Sequence, residues 1–411
     1  MFKKYADETM EFIKKIEADG PRLPGTDEEK AACVKIQKEI SDRVGLETKT
    51  EEFTFAPRAS IGGICYLGYA GLLAIAIYYI GGIYGTILAG FMFCCIMLFV
   101  ALQVIRYTGT FDLLFKHEKS SNIISEIAPQ NGETKFTVYL GAHYDSSWCW
   151  KLSLKNPNTA IPKTAYGIVG AIAMIGISIL RLVNYFVYIG GQADYIIEIC
   201  TMVIPVIFIP GLYFVSQYVS GDKSIASPGA MDNLTGIGSN MMIMKYFKEH
   251  PEDMPEGMRL VNICFGAEEA SLKGSLDYVK RHKEELKDGH SYVLNIDSIA
   301  DPDYFEAIIG DLLQGTKFDP TLIGYVHEAY KELGIENAKS IYNPVGGCDS
   351  TPFRNADVPT VTIAAQNPTT TYYYHTMHDK SERFSTDTLD KGLNVIYKVI
   401  KKIGEKENAN K

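Results

Sequence analysis

Apolar residues are spread unevenly along this chain. Four stretches before residue 220 are apolar almost without interruption, whereas the rest mixes polar and apolar positions at helix and strand periods. From Ile61 to Ile80 and again from Tyr84 to Ile105 there is no charged side chain. Each run is about 20 residues, enough to cross a hydrocarbon core at about 1.5 Å per residue. Gly81 and Gly82 between them predict a tight turn, so the pair reads as a transmembrane hairpin. A second pair, Tyr166 to Ile189 and Tyr195 to Val219, is less pure, because Arg181 and Glu198 sit on its opposite arms at depths differing by about 7 Å. Either the two meet, which relieves the cost of lone charges in lipid, or each snorkels to the surface. The turns between arms hold almost no basic residues. Arg58, Arg106, Lys116, Lys119, Lys151, Lys155, Lys163 and Lys223 all flank the soluble segments, which predicts a cytoplasmic position for both termini and for the chemistry.

The amphipathic remainder predicts an α/β protein. Residues 1–20 have helical spacing and stop at GPRLPG; Thr26 then opens T-D-E-E, a capping box in which Thr26 caps a helix ending near Gly45 and Glu29 reaches back to the same turn. LETKTEEFTF alternates as a strand. Between the hairpins, NIISEIA and KFTVYLGA read as two strands joined by Gln130-Asn131-Gly132-Glu133, and Asn-Gly signals a β-hairpin. After residue 220 come a helix opened near Asp232, the strand RLVNICFG, a helix from Ser271 to Leu286 and the strand YVLNIDS. Then follow a strand around YFEAIIG, a helix from Leu322 to Leu333, the loop NPVGGCDSTPF, the strand VPTVTIAA, the loop YYYHTMHD and a helix from Thr386 to Glu405. Strands alternating with helices predict a mixed, largely parallel sheet covered on both faces. Four transmembrane helices in two hairpins complete the architecture. The expected division is one soluble domain from residues 1–59, 107–163 and 220–411, with the hairpins at 60–106 and 164–219.

Charge and composition remove some alternatives. The net charge is −9 and the lysines are spread beside glutamates, so no basic face for nucleic acid exists. The eight cysteines show no paired spacing, and Cys65, Cys94, Cys95 and Cys200 lie inside apolar runs, which predicts reduced thiols. The stretch MFKKYADETMEFIKKIEADG has no apolar core, so a cleaved secretory leader is not expected.

The candidate chemistry centres on residues 227–275. SPGAMDNLTGIGS places Asp232 between glycines, and VNICFGAEEASLKGS puts Glu268 and Glu269 just after an apolar strand. Adjacent glutamates at a strand end can divide labour, one binding a metal while the other handles a proton. Further candidates also follow apolar strands, His143 and Asp145 in GAHYDSS and Asp297 in NIDS, where ligands gather in open α/β sheets. With a loop histidine they form the inventory of a two-zinc hydrolytic site.

The order H-x-D, G-x-x-D-N, E-E-x-x-x-x-G-S, a strand ending in Asp and Y-H-T-x-x-D resembles the zinc aminopeptidases of metallopeptidase family twenty-eight. Relatives include secreted bacterial aminopeptidases, glutamate carboxypeptidase and single-zinc glutaminyl cyclases. The likeness extends to GPRLPGTDEEK and GGCDSTPF, so it covers nearly all of the soluble chain and neither hairpin. It implies two zinc ions, with His143 and Asp297 on one, Glu269 and His375 on the other, and Asp232 bridging. It further implies that Asp145 fixes the His143 tautomer, that Glu268 is the general base toward a metal-bound water, and that Tyr374 hydrogen-bonds the oxyanion. His378 falls at a variable position of the pattern, and Asp349 matches an acid that fixes a loop.

The second hairpin interrupts the chain between His143 and Asp232 and returns about a dozen residues before Asp232, a span of at most about 40 Å when extended. The metal centre is therefore expected near the bilayer. The expected function is a membrane-embedded di-zinc exopeptidase, an aminopeptidase acting on a peptide or amide substrate that is apolar or delivered at the lipid bilayer. The rivals are an amidase on N-acyl amino acids, a glutaminyl cyclase, and a non-catalytic membrane receptor or scaffold. The oligomeric state is not legible.

Overall fold

The computed structural model describes residues 1–130, 132–187, 191–288, 290–369 and 371–409. Helices α1 (Lys3–Glu17) and α2 (Asp27–Val44) open the chain, followed by strand β1 (Lys49–Phe55) and the apolar helices α3 (Ile64–Ile80) and α4 (Gly82–Phe99). Strands β2 (Glu118–Ile127), β3 (Phe136–His143) and the short β4 (Cys149–Trp150) lead to α5 (Lys151–Lys155) and to the apolar helices α6 (Pro157–Val187) and α7 (Gly191–Ser216). Then come β5 (Val219–Ser220), α8 (Thr235–Glu249), β6 (Met258–Phe265), α9 (Lys273–Arg281), α10 (Lys283–Asp288), β7 (Ser291–Ile299) and β8 (Phe305–Asp311). Helix α11 (Pro320–Glu332), strand β9 (Lys339–Asn343), α12 (Ser350–Asn355), β10 (Thr360–Ala365) and α13 (Thr386–Ala409) complete it.

Eight strands form one sheet in the order β1-β2-β6-β3-β7-β10-β8-β9, with β6, β3, β7 and β10 parallel at its centre and antiparallel pairs toward the edges. Every residue of β3 and of β10 is buried, as a central parallel strand covered on both faces requires. One face is covered by α1, α2, α8, α11 and α13 through side chains such as Phe12, Phe247 and Leu393. The other is covered around Tyr278 and Phe353. Burying one such side chain stabilises the fold by roughly 1.5–3 kcal/mol.

Several local expectations hold. Thr26 Oγ1 accepts the Glu29 amide at 3.3 Å, and Gly45 closes α2 in the left-handed conformation. Glu29 reaches back to the Gly25 amide at 2.5 Å, while its other oxygen accepts the Ala267 amide at 3.0 Å. The expected β-hairpin around Asn131 does not form. Strand β6 lies between β2 and β3, because β3 has no polar edge and needs a partner on each side; Asn131 itself lies outside the described residues. The helix expected over Ser271–Leu286 is two helices broken at His282. Part of the expected loop NPVGGCDSTPF is helix α12, and β9 was not expected at all.

Four helical spans, Ile61–Ile80, Gly82–Ile105, Pro157–Val187 and Gly191–Ser216, are long and apolar enough to cross a membrane. Only 22–39% of each apolar stretch is buried against protein, so most of this surface needs an apolar solvent. The third span begins at Pro157, ahead of Tyr166, and Ile189 lies outside the described residues. Glycines set the helix crossings: a Cβ on Gly68 would lie 2.3 Å from the Ser216 nitrogen, and one on Gly167 would lie 2.7 Å from the Gly211 carbonyl oxygen. Small residues let the two backbones approach this closely. Arg181 does not pair with Glu198 among the described residues. Its guanidinium sits 4.6 Å from the Tyr78 ring centroid and donates to the Tyr78 carbonyl at 3.2 Å, so a nearer aromatic face and a free carbonyl satisfy it.

Candidate metal centre

The parallel strands deliver the candidate side chains to one end of the sheet. His143 ends β3, Glu268 and Glu269 follow β6, Asp297 lies near the end of β7, and His375 is in the loop after β10. Asp232 reaches the same place from the turn that precedes α8; its peptide bond to Asn233 is cis. His143 Nε2 lies 3.0 Å from Asp232 Oδ1, and His375 Nε2 lies 2.9 Å from Asp232 Oδ2 and 3.3 Å from Glu269 Oε1. Two ligand sets result, His143 with Asp232 and Asp297, and Asp232 with Glu269 and His375. Within each set, one atom from every residue lies within 4.8 Å of the others. Asp232 is common to both.

Neighbouring groups fix this arrangement. Asp145 is fully buried, and its two carboxylate oxygens accept the Glu268 and Glu269 amides, each at 3.0 Å. His143 Nδ1 faces the same residue, 3.3 Å from the Asp145 carbonyl and 3.5 Å from its carboxylate. Asp145 therefore ties the histidine strand to the glutamate loop, a larger task than setting a tautomer. Asp379 accepts the Met231 amide at 2.7 Å and the Asp232 amide at 3.2 Å, holding the turn that presents Asp232. Arg22, 1% exposed, donates to the carbonyls of Tyr144 at 2.7 Å, Pro228 at 2.6 Å and Gly229 at 3.0 Å, joining the loop after His143 to the turn before Asp232. A Cβ on Gly229 would meet the Arg22 guanidinium at 2.7 Å, which is why a glycine stands there.

The electrostatics are those of a site built for cations. Burial raises the Glu269 carboxyl well above the usual range, with Asp232 adding to it, and pushes Asp297 up to about 6 with the same neighbour contributing. Burial also raises Glu268; the His143 imidazole opposes this, and Asp349, Glu269 and Asp297 reinforce it. Burial would raise Asp232 too, but its hydrogen bonds to His143 and His375 hold its carboxyl low. Among the described residues, buried His375 Nδ1 has no hydrogen-bond partner, and buried Glu269 Oε1 has only the ion-pair contact with His375 Nε2. Carboxylates crowded this closely away from water, with neither Lys nor Arg among the cluster residues, are tolerable only when a cation shares them. Imidazole and carboxylate donors suit a divalent transition ion, so the residues fit zinc.

All six candidate ligands and base residues named from the sequence meet here. Tyr374, half-buried, stacks on the His375 ring at 3.9 Å between centroids and lines the same cavity. His378 is exposed against Tyr372 and lies outside the cluster. Asp349 is buried, and burial pushes its carboxyl up to about 7. Sequence reasoning gave no role to Arg22, Asp379 or Trp150. The first lay in a stretch read as a helix stop and as part of the family resemblance, with no role given to its arginine, and the second inside a motif whose last acid was left unassigned. Trp150 belongs to a strand of two residues, too short to carry a period; its ring meets His375 edge-on at 4.4 Å and its amide donates to the His375 carbonyl at 2.8 Å.

The roots of both apolar hairpins are tied to this site. Cys149 and Trp150 pair with Ser220 and Val219 as the chain leaves for α6 and returns from α7. Ahead of α3, Ser60 Oγ lies 2.7 Å from Ser271 Oγ and donates to the Ala270 carbonyl, beside the glutamate pair.

Residues 216–400 match peptidase family M28, in agreement with the resemblance drawn from the sequence. No curated protein matches the chain. Among solved structures, a zinc aminopeptidase from Bacillus subtilis is similar with a TM-score of 0.58 at 16% identity, over 97% of this chain and 95% of that one. A Zn-dependent exopeptidase from Parabacteroides distasonis gives 0.53 at 15%, over 96% and 97%. A glutaminyl cyclase from Bacteroides thetaiotaomicron, bound to N-acetylhistamine, gives 0.55 at 15%, also over 96% and 97%. At these identities the likeness speaks for the fold.

Proposed function

We propose that this chain is a membrane-embedded, zinc-dependent exopeptidase, an aminopeptidase that removes N-terminal residues from peptides or related amides on the cytoplasmic side of a bilayer. The observation that carries this reading is the pair of ligand sets sharing Asp232. His143 and Asp297 would hold one zinc ion, Glu269 and His375 the other, and Asp232 would lie between them. Bound there, the two ions would supply Lewis-acid activation of water and carbonyl. Glu268 would accept the proton of the attacking water and hand it to the leaving amine nitrogen; its raised affinity for a proton suits a group that must hold one between the two transfers. Tyr374 would donate its hydroxyl to the oxygen of the scissile carbonyl. Trp150, edge-on to His375, would keep that ring in place and exclude water from one side.

The four apolar spans and the basic residues flanking the soluble segments support the membrane placement and its orientation. A glutaminyl cyclase on the same scaffold is the competing chemistry. Two complete ligand sets favour the hydrolase, since the cyclases of this fold are expected to use one zinc.

The test is product identification from a peptide mixture by purified protein in lipid nanodiscs, with metal content measured on the same sample. We expect free N-terminal amino acids, about two zinc ions per chain, loss of activity to a chelator, and a drop of about 10²–10⁴-fold for Glu268→Gln. Equal products from wild type and Glu268→Gln would remove Glu268 as the base. Indifference to chelation would end the metallopeptidase reading.

A further inference from the structure

The cavity that holds the candidate site does not stop at it. It has a volume of about 360 Å³ and extends from the carboxylate cluster to the ends of all four apolar helices nearest the sheet. Leu67 of α3, Val100 just after α4, Ala171 of α6 and Val215 of α7 line its far part, while Ile308 of β8 and Val345 close it from the sheet side. A soluble exopeptidase needs nothing beyond a cleft at the strand ends. Here the two apolar hairpins supply more than a third of the lining.

The chemistry of the lining restricts the occupant. Among the described lining residues there is no Lys or Arg, so nothing outside the metal ligands can neutralise a carboxylate or a phosphate. The one further acid, Glu306, is 3% exposed, and its side chain makes no hydrogen bond among the described residues. Its cross-strand neighbour Lys339 is exposed and forms no ion pair with it among them. Burial pushes the Glu306 carboxyl up to about 7 against the pull of the Lys339 charge, so the wall offers an anion no cation and accepts neutral or cationic groups. The volume suits one small molecule or one extended chain, since small-molecule sites run from about 300 to 1,000 Å³.

We infer that the site takes a single-chain amphiphile, an aminoacyl amide of a long-chain amine, with the amide at the carboxylate cluster and the unbranched apolar chain between the ends of α3, α4, α6 and α7. This rests on reading the cluster as hydrolytic. Water adds to the carbonyl carbon, the C–N bond breaks, and the proton taken from water goes to the departing nitrogen. The products are a free amino acid and a long-chain amine, and no other reactant is consumed. The same lining disfavours N-acyl amino acids, whose terminal carboxylate would lie against an acid-bearing, cation-free wall.

The test uses the full chain in lipid nanodiscs and two leucine amides differing only in the amine, dodecyl or ethyl, with N-dodecanoyl leucine as the anionic comparison. Binding is read separately with brominated dodecylamine, which quenches the emission of Trp150 in the cavity wall. The expected result is a kcat/KM ratio of dodecyl to ethyl amide of at least about tenfold, of the size that two buried methylenes can supply. N-dodecanoyl leucine should be cleaved poorly and the quenching should saturate. The double variant Leu67→Phe/Val100→Phe should lower that ratio about tenfold and weaken the quenching. If the ethyl amide is cleaved and Glu268→Gln abolishes it, yet the ratio stays near one and quenching does not saturate, the chain site is wrong and the hydrolase stands. Saturable quenching without cleavage of either amide would leave the chain site and remove the hydrolase. Preferential cleavage of N-dodecanoyl leucine would overturn the charge argument.

Discussion

Replacing Arg22 tests whether the site is held together by a buried cation remote from the ligands. Its guanidinium donates to three carbonyls on two loops, at 2.6, 2.7 and 3.0 Å, and no other side chain bridges those loops in the same way among the described residues. A hydrogen bond involving a charged group contributes about 1.5–3 kcal/mol, and breaking a buried charged contact costs about 3–5 kcal/mol overall. Arg22→Met gives back the cost of burying the guanidinium, which pulls its proton affinity down to about 10, but it orphans three carbonyls and removes the cation that faces Asp145 and Asp379. A net loss of about 3–4 kcal/mol follows, which is roughly 4–6 °C of melting temperature at about 1.2–1.5 °C per kcal/mol for a chain of this length. Arg22→Lys keeps the charge but cannot reach both loops with three fixed donors, so it should fall about halfway. The assay is thermal unfolding of detergent-solubilised protein, followed by metal affinity from chelator competition. Arg22→Met melting within about 2 °C of wild type would refute the tie between the His143 loop and the Asp232 turn.

Two further outcomes follow from the packing around the site. Asp379→Asn leaves one of the Met231 and Asp232 amides facing an amino group instead of a carboxylate oxygen, so zinc affinity should fall about 10–100-fold, as for other partners that orient ligands; an unchanged affinity in chelator competition would assign Asp379 to stability alone. Gly68→Ala and Gly68→Val force a Cβ to within 2.3 Å of the Ser216 backbone at the crossing of α3 and α7, and should lower the melting temperature in that order. Gly176→Ala, with nothing within 4 Å, should not; equal effects at the two positions would show that the crossing is loose.

Much of this molecule is legible from residue order. Apolar runs as long as a bilayer is thick announce the four helices that are long and apolar enough to cross one, because their length and composition are properties of residue order alone. Helix caps such as Thr26 and Gly45 act within one turn of chain, and the pattern of acids and histidines after apolar strands points to the strand ends of an α/β sheet.

Tertiary structure alone decided what depends on distant partners. The Asn-Gly turn predicted a hairpin that does not exist, because sheet order is set by which buried edges find each other and not by the nearest turn. The sequence left open whether Arg181 meets Glu198 or each charge snorkels, and Tyr78, more than a hundred positions away, takes the arginine. Asp145 was legible as an acid beside a histidine, but only the fold shows its oxygens on the amides of Glu268 and Glu269. The same holds for the cavity that joins the carboxylate cluster to the helix ends. Residue types are fixed locally by period and cap, whereas the shape of an enclosed space is fixed by how separate elements meet.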